Sequence, residues 1–235
     1  MKILIIIPVL NEEKNIRLIW SKIVKLKNLK KDILFIDDNS TDNTRIKIIN
    51  LKKKNKNIFL LKRDSKKGIG SAHKIGIIWG YKKRYPIIVT MDCDGTHDPV
   101  HIKKMLKLIK TQKYEMISTN RFLKKNSLSD WSFWRIFLTN LRHLLIKNIL
   151  NIRYDSSGAF RCYNVKKIKL KDILMAKNNS YSFFWESIFF LSKKYNIAEI
   201  PISLPGRISG SSKMRLKDII FALCYLIFIF FRHRV

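Results

Sequence analysis

Along the first half of the chain, apolar residues come in short unbroken runs. Between the runs they recur at every third or fourth position. Residues 3–10, Ile-Leu-Ile-Ile-Ile-Pro-Val-Leu, form one run, 33–36 (Ile-Leu-Phe-Ile) and 87–91 (Ile-Ile-Val-Thr-Met) form two more, and 58–61 is a weaker fourth. Runs without polar alternation fit strands covered on both faces, as in a parallel sheet. Ile16, Ile19, Trp20, Ile23 and Val24 follow helical spacing, as do Ala72, Ile75, Gly76 and Trp79, and again Ile102, Met105, Leu106 and Ile109. Asn11 and Asp42 are expected helix N-caps, and Pro99 suits a first helical turn. The order β-α-β-α-β-α-β-α over the first ~110 residues predicts an α/β fold: a mostly parallel central sheet with helices on both faces. In such sheets ligands bind beyond the carboxyl ends of the strands.

The second half is less regular. Residues 131–150 read as a helix, 183–191 as a further apolar stretch, and Ile197–Leu204 as a strand. Residues 219–231 are apolar throughout and are followed by Arg232, His233 and Arg234. As a helix this stretch is roughly 20 Å long, short of the ~30 Å hydrocarbon core of a bilayer. It is therefore expected to lie in a membrane interface, to face a small membrane subunit, or to pack into the core. Its terminal position beside basic residues favours membrane contact. The expected division is a main α/β domain over 1–213 and a basic, apolar C-terminal helix over 214–235.

Charge changes this picture less than its extent suggests. The formal net charge is +31, but the 48 Lys and Arg are spread along the whole chain rather than gathered in one tail. That spread fits compositional drift, with attraction to an anionic membrane second and nucleic-acid binding last. The acids are the informative residues. Six of the 17 (Asp37, Asp38, Asp42, Asp92, Asp94 and Asp98) fall within 37–42 and 92–98, where uniform scatter would place about one. Nucleic-acid binding leaves that clustering unexplained, because carboxylates repel phosphates unless a cation intervenes. Three distant cysteines without CxxC spacing point to a reducing compartment and against structural zinc. The N-terminal run has no small-residue cleavage site, so it is expected to be a strand rather than a secretory leader.

Asp92-Cys93-Asp94 sits at a predicted strand end, where carboxylates two residues apart point to one side. Such a pair is relieved by a hard divalent cation, Mg²⁺ or Mn²⁺, bridging a diphosphate. Taken alone, the motif equally describes a solvated turn. Asp37-Asp38-Asn39-Ser40-Thr41-Asp42 follows another strand, with Asp38 placed to accept from a base or ribose and Asp42 to cap a helix. Lys67-Gly68-Ile69-Gly70-Ser71-Ala72 opens a helix and reads either as a phosphate cradle or as a ligand-free turn.

Taken in series, Ile7-Pro8-Val9-Leu10-Asn11-Glu12, the Asp37–Asp42 segment, Gly68–Ala72 and Asp92-Cys93-Asp94-Gly95 resemble the family-2 inverting glycosyltransferases of GT-A fold. Asp155-Ser156-Ser157-Gly158-Ala159-Phe160-Arg161 is similar to the family's D-x-S-G-F-R stretch with one residue inserted. Arg207-Ile208-Ser209-Gly210-Ser211-Ser212-Lys213 is similar to the R-x-x-G-x-S-K box of the dolichyl- and polyprenyl-phosphate mannose synthases. The resemblance implies a nucleotide-sugar pocket lined by Pro8, Leu10, Glu12, Ile36, Asp38, Asp92, Cys93 and Asp94, closed by Arg207 and Lys213. It also implies that Asp94 is the main metal ligand, with Asp92 and Thr96 beside it, and that Arg121 lies at the sugar or acceptor phosphate. Arg135 reads either as a second ligand of the acceptor phosphate or as a solvated helix residue. Leu10 replaces a usual aromatic residue and Thr96 replaces a usual Gln.

The implied reaction is transfer of a hexose, mannose from GDP-mannose, to polyprenyl or dolichyl phosphate with inversion, at the cytoplasmic face of a membrane. Such an acceptor is already anionic, so a general base is dispensable; Asp155 is the candidate if one exists, and an anchoring role is equally consistent with the sequence. A hydroxyl-acceptor transferase, a basic nucleic-acid-binding protein and a non-catalytic relative are the alternatives.

Overall fold

A computed structural model describes residues 1–206 and 216–233. In chain order the elements are β1 (Ile3–Val9), α1 (Ile16–Val24), β2 (Lys31–Asp37), α2 (Thr44–Lys54), β3 (Ile58–Lys62), α3 (Ile69–Lys82), β4 (Ile87–Thr90), α4 (His101–Lys110), β5 (Met116–Asn120), α5 (Phe133–Leu150), β6 (Arg161–Asn164), α6 (Leu170–Ile173), α7 (Ser182–Ser192), β7 (Ile197–Pro201) and α8 (Leu216–His233). The seven strands form one sheet in the order β3-β2-β1-β4-β6-β5-β7. Strands β1 to β4 are mutually parallel, β6 runs antiparallel to both β4 and β5, and β7 is parallel to β5.

Each apolar run is a strand because its side chains are needed on both faces. Along β1, Leu4 and Ile6 join the core beneath α3 and α7, while Ile3, Ile5 and Ile7 join the core beneath α1 and α4. Burial of each such side chain contributes about 1.5–3 kcal/mol. On α3 the packed stripe is Ala72, Gly76, Ile77 and Gly80, whereas Ile75 is 38% exposed. Gly76 explains this choice of face, since a Cβ there would lie 2.5 Å from Ile36 Cδ1 and 2.6 Å from Ile6 Cγ2.

Several expected boundaries shift. Asn11 is not a helix cap: it has φ +53° and its side-chain oxygen accepts from Thr41 N–H at 2.8 Å, tying the β1 loop to the β2 loop. Asp42 is not the N-cap residue of α2, which is Asn43; it stands one residue before it and accepts from Thr44 N–H at 2.9 Å. Pro99 precedes α4, whose entry is a tightened turn with Ile102 N–H donating to Pro99 O at 2.9 Å. The expected strand 197–204 ends at Pro201; Ile202 and Leu204 leave the sheet and pack on Leu128.

The C-terminal helix is not a core helix. Leu226 and Ile229 are buried, but Ile220, Phe221, Ile227, Phe228 and Phe231 are exposed. It packs along α5 and is pinned by Tyr225, whose hydroxyl donates to buried Glu186 Oε1 at 2.8 Å and whose ring lies 5.6 Å from Trp185. Among the described residues, no helix is long and apolar enough to cross a membrane.

Candidate active site

Successive strands β1, β2, β3 step one way across the sheet, and β4 pairs on the other side of β1. Such a switch point leaves a crevice beyond the carboxyl ends of the strands. A cavity of about 830 Å³ opens there. Its polar end is formed by Pro8, Leu10 and Glu12 from the end of β1, Asp38 after β2, and Asp92, Cys93 and Asp94 after β4. Helices α5 and α8 add a mainly apolar part, Leu138, Leu145 and Ile146 with Ile219, Leu223 and Leu226, among which Arg135 and Asp218 also stand. Arg121 and Arg142 also line it.

The two carboxylates of the acidic loop are unequal. The Asp92 side chain is 34% exposed, whereas Asp94 is buried. One Asp94 oxygen, Oδ1, accepts from Thr96 N–H at 3.1 Å and from the Thr96 hydroxyl at 2.6 Å, so Thr96 orients Asp94. His97 Nδ1 accepts from Asp92 N–H at 3.0 Å, which places its proton on Nε2. Burial lowers the His97 pKa to about 4, against the attraction of Asp94. The imidazole is therefore neutral near pH 7, and its 3.6 Å approach to Asp92 is not an ion pair. Burial first, and then the charges of Glu12, Asp94 and Asp92, push the Cys93 thiol well above its ordinary value, so it stays protonated.

Among the described residues, no three His, Cys, Asp or Glu side chains are grouped to hold a metal. Mg²⁺ commonly takes one or two carboxylates and completes its shell with substrate phosphates and water. The Asp92 and Asp94 oxygens fit that shared mode and do not fit an all-protein cage.

Asp38 is the hub of the β2 end. It pairs with Arg63 Nη1 at 2.9 Å and accepts from the N–H groups of Lys67 at 3.1 Å and Gly68 at 3.3 Å. Arg63 also donates to the Ser71 hydroxyl. Gly68 has φ +90°, and a Cβ there would lie 2.5 Å from Asn179 O. Ser71 N–H donates to the same Asn179 oxygen at 3.0 Å. The turn that opens α3 thus spends these N–H groups on the protein, which is the geometry of a ligand-free turn.

Arg121 leaves β5 and is held by Asp155, whose Oδ2 accepts from Arg121 Nε at 2.7 Å and from Arg121 N–H at 3.2 Å. The other oxygen accepts from Ser157 N–H at 3.2 Å and the Ser157 hydroxyl at 3.0 Å. Burial works to raise the Asp155 pKa, but the charge and hydrogen bonds of Arg121 and those of Ser157 outweigh it and hold it below the ordinary carboxylate value. A depressed carboxylate with four donors is a poor base and a good anchor. Glu199 of β7 backs the arrangement, accepting from Asp155 N–H at 2.7 Å and Asn120 Nδ2 at 2.8 Å. Arg161, fully buried, donates to Ser156 O, Gly158 O, Phe184 O and Ser187 Oγ, locking the 155–160 loop onto α7.

Residues 4–170 match the sequence profile of Glycosyl transferase family 2. The chain belongs to this family. It is 26% identical over 217 residues to the polyprenol monophosphomannose synthase of Mycolicibacterium smegmatis, covering 90% of this chain and 80% of that one. It is 26% identical to the undecaprenyl-phosphate mannosyltransferase of Micrococcus luteus, covering 91% and 88%. It is 28% identical to the dolichol-phosphate mannosyltransferase of Pyrococcus furiosus, covering 93% of this chain but 61% of that longer relative. In fold it is similar to glucosyl-3-phosphoglycerate synthase of Mycobacterium tuberculosis, crystallised with Mn²⁺, UDP and glucosyl-3-phosphoglycerate, with TM-score 0.67, 15% identity and coverage of 96% and 77%. The same synthase with Mg²⁺ and UDP gives a TM-score of 0.64 at 15% identity.

In this family-2 glycosyltransferase, Pro8, Leu10, Glu12, Asp38, Asp92, Cys93, Asp94, Thr96, Arg121 and Arg135 all line the one cavity. Ile36 does not face it: the side chain is fully buried in the core beneath Gly76. Arg135 is exposed, with its guanidinium 3.5 Å from the Trp131 ring centroid. Arg207 and Lys213 lie outside the described residues. Three contributors escaped the sequence reading: Arg63 behind Asp38, His97 behind Asp92, and Arg142 in the cavity wall. A single Arg or His carries no spacing signal, although His97 stands only three residues from Asp94.

Proposed function

We propose that this glycosyltransferase moves a mannosyl group from GDP-mannose to a polyprenyl or dolichyl phosphate, with inversion at the anomeric carbon. The observation that carries this reading is one cavity that joins an acidic end to a mainly apolar part. A water-soluble nucleotide diphosphate suits the acidic, metal-ready end. An isoprenoid chain suits the mainly apolar part between α5 and α8. Arginines stand along the wall where the two reactants would meet. The names of the relatives from Mycolicibacterium, Micrococcus and Pyrococcus support the same acceptor class.

The residues then divide the work. Asp38 and Glu12 take the nucleoside side, and Asp94 with Asp92 holds Mg²⁺ or Mn²⁺ against the diphosphate. That cation supplies charge neutralisation as the nucleoside diphosphate departs. Arg121, fixed by Asp155, presents its guanidinium to the acceptor phosphate. The phosphate oxygen is already a nucleophile near neutral pH, so Asp155 is free to act as an anchor.

The exposed apolar face supports attachment to a membrane surface. Phe133 (73%), Trp134 (70%) and Phe231 (71%) stand out on α5 and α8, helices that pack together. Large exposed apolar side chains of this kind suit a binding face, and a lipid surface fits the acceptor class proposed here.

A donor screen with Mn²⁺ and a short polyprenyl phosphate, following radiolabelled sugar into the organic phase, tests the reading. GDP-mannose is expected to give organic-phase product. Absence of such product with every donor overturns the lipid-phosphate acceptor.

A further inference from the structure

Arg142 is a cation of the cavity wall that neither the donor end nor the Arg121–Asp155 pair uses. It sits on α5, one turn after buried Thr139, and both line the cavity. Its Nε is sealed from solvent and, among the described residues, has no hydrogen-bond partner. Burial first, and the charge of Arg121 second, lower its pKa to about 10, while Asp155 pulls the other way. The side chain therefore remains a cation at neutral pH. Asp155, the anion that attracts it, already accepts from Arg121 and Ser157 on both oxygens.

The acid whose charge bears on Arg142 is thus already committed to other donors on both oxygens. A buried unsatisfied donor on a charged group costs stability on its own. Sites that break local rules at such a cost are commonly functional. The ligand that would satisfy this one is an anion carrying several acceptor oxygens. Arg121 spends Nε and its backbone N–H on Asp155, so its terminal amino groups are not used there.

We propose that Arg142 is a second cation of the acceptor-phosphate site, clasping the phosphate from α5 while Arg121 holds it from the end of β5. This rests on the lipid-phosphate reading and extends it. It gives Arg135 a different place, stacked on Trp131 nearer the surface, from that of the deeper pair. No covalent step is assigned to Arg142; it is a positioning and binding residue. A phosphate held from two sides keeps one oxygen directed along the cavity toward the donor end.

The test uses the full chain and the variants Arg142→Met and Arg142→Lys. Calorimetry in detergent measures farnesyl phosphate and, as the uncharged control, farnesol. GDP with Mn²⁺ is titrated separately, and thermal unfolding is recorded without ligand. For Arg142→Met, farnesyl phosphate affinity is expected to fall about 10–100-fold, the range for a charged hydrogen bond. Farnesol and GDP affinities are expected to be unchanged, and Tm unchanged or raised because an unsatisfied buried cation is gone. Arg142→Lys, a cation without the planar fork, is expected to lose less.

Farnesyl phosphate binding to Arg142→Met within twofold of wild type overturns the proposal alone. So does a Tm that falls together with GDP affinity, since that is the signature of a structural role. If Arg142→Met does not fold, Arg142→Lys decides: its farnesyl phosphate affinity must drop while GDP affinity holds. A wild type that binds farnesyl phosphate no better than farnesol overturns the lipid-phosphate reading, and this proposal with it.

Discussion

At the residue scale, the site is a set of acidic and basic residues each held by a protein partner. The Asp94 carboxylate is set by Thr96, the Asp92 backbone by His97, Asp38 by Arg63 and Arg121 by Asp155. The last pair makes the clearest forecast. Asp155→Asn strands the guanidinium of buried Arg121, and breaking a buried pair costs about 3–5 kcal/mol. Chemical denaturation is expected to show that loss, and steady-state kinetics a raised acceptor KM. The pH profile of kcat keeps its shape; loss of an acidic limb in the variant would instead make Asp155 a base. Glu199 makes a second forecast. Burial lifts its pKa to about 7, so between its ordinary value and 7 the folded chain holds a proton that the unfolded chain has released. Stability from this group is therefore present at low pH and lost as pH rises through that window. Glu199→Gln is expected to show a smaller fall in Tm between about pH 5 and about pH 8 than wild type; superimposable profiles would sink the assignment. The front members of these pairs were legible because acids are scarce in this chain and cluster. The partners behind them were not, because a lone Arg63 or His97 among 48 cationic residues and five histidines has no pattern to betray it.

At the element scale, legibility followed burial chemistry. Strands β1 to β4 announced themselves because both faces need apolar side chains. Strands β5 and β6 did not. Ser118, Thr119, Asn120 and Arg161 are buried within them, and Thr119, Asn120 and Arg161 are held by hydrogen bonds rather than by apolar contact. A search for apolar runs is blind to strands that carry the site's polar scaffold. The same logic placed Ala72 and Gly76 correctly but put Ile75 on the packed face of α3, where the tightest approach to the sheet belongs to glycines. Helix α8 was legible as apolar, but its orientation came only from Tyr225 and Glu186. Glu186 also accepts from the N–H groups of Lys177 and Asn178, each at 2.9 Å, so its charge is well satisfied without Tyr225. Tyr225→Phe is accordingly expected to loosen α8 while sparing the body. Hydrogen exchange should quicken in α8 amides, with protection of β1 unchanged. Faster exchange across the whole sheet would mean that α8 is integral to global stability.

At the scale of the whole molecule, the proposed membrane attachment would use the +31 charge and the exposed aromatic side chains of α5 and α8 together. The charge would draw the protein toward an anionic surface over a Debye length of about 8–10 Å, and the aromatic side chains would hold it there. Flotation with vesicles containing anionic lipid is expected to weaken as salt rises. Phe231→Asp combined with Phe228→Asp should reduce binding even at low salt; unaltered flotation would remove this face from the contact. The cavity running from the acidic loop to the space between α5 and α8 has one more consequence. On the proposed lipid-phosphate reading, the acceptor would enter at the helix end by lateral diffusion within a film and its product would depart the same way, while the nucleotide would come and go through water. The two substrates are then counted in different currencies: one as moles per litre, the other as molecules per unit area. Dilution of the suspension at constant vesicle composition should leave turnover per bound enzyme unaltered, whereas thinning the acceptor with inert lipid should slow it in proportion.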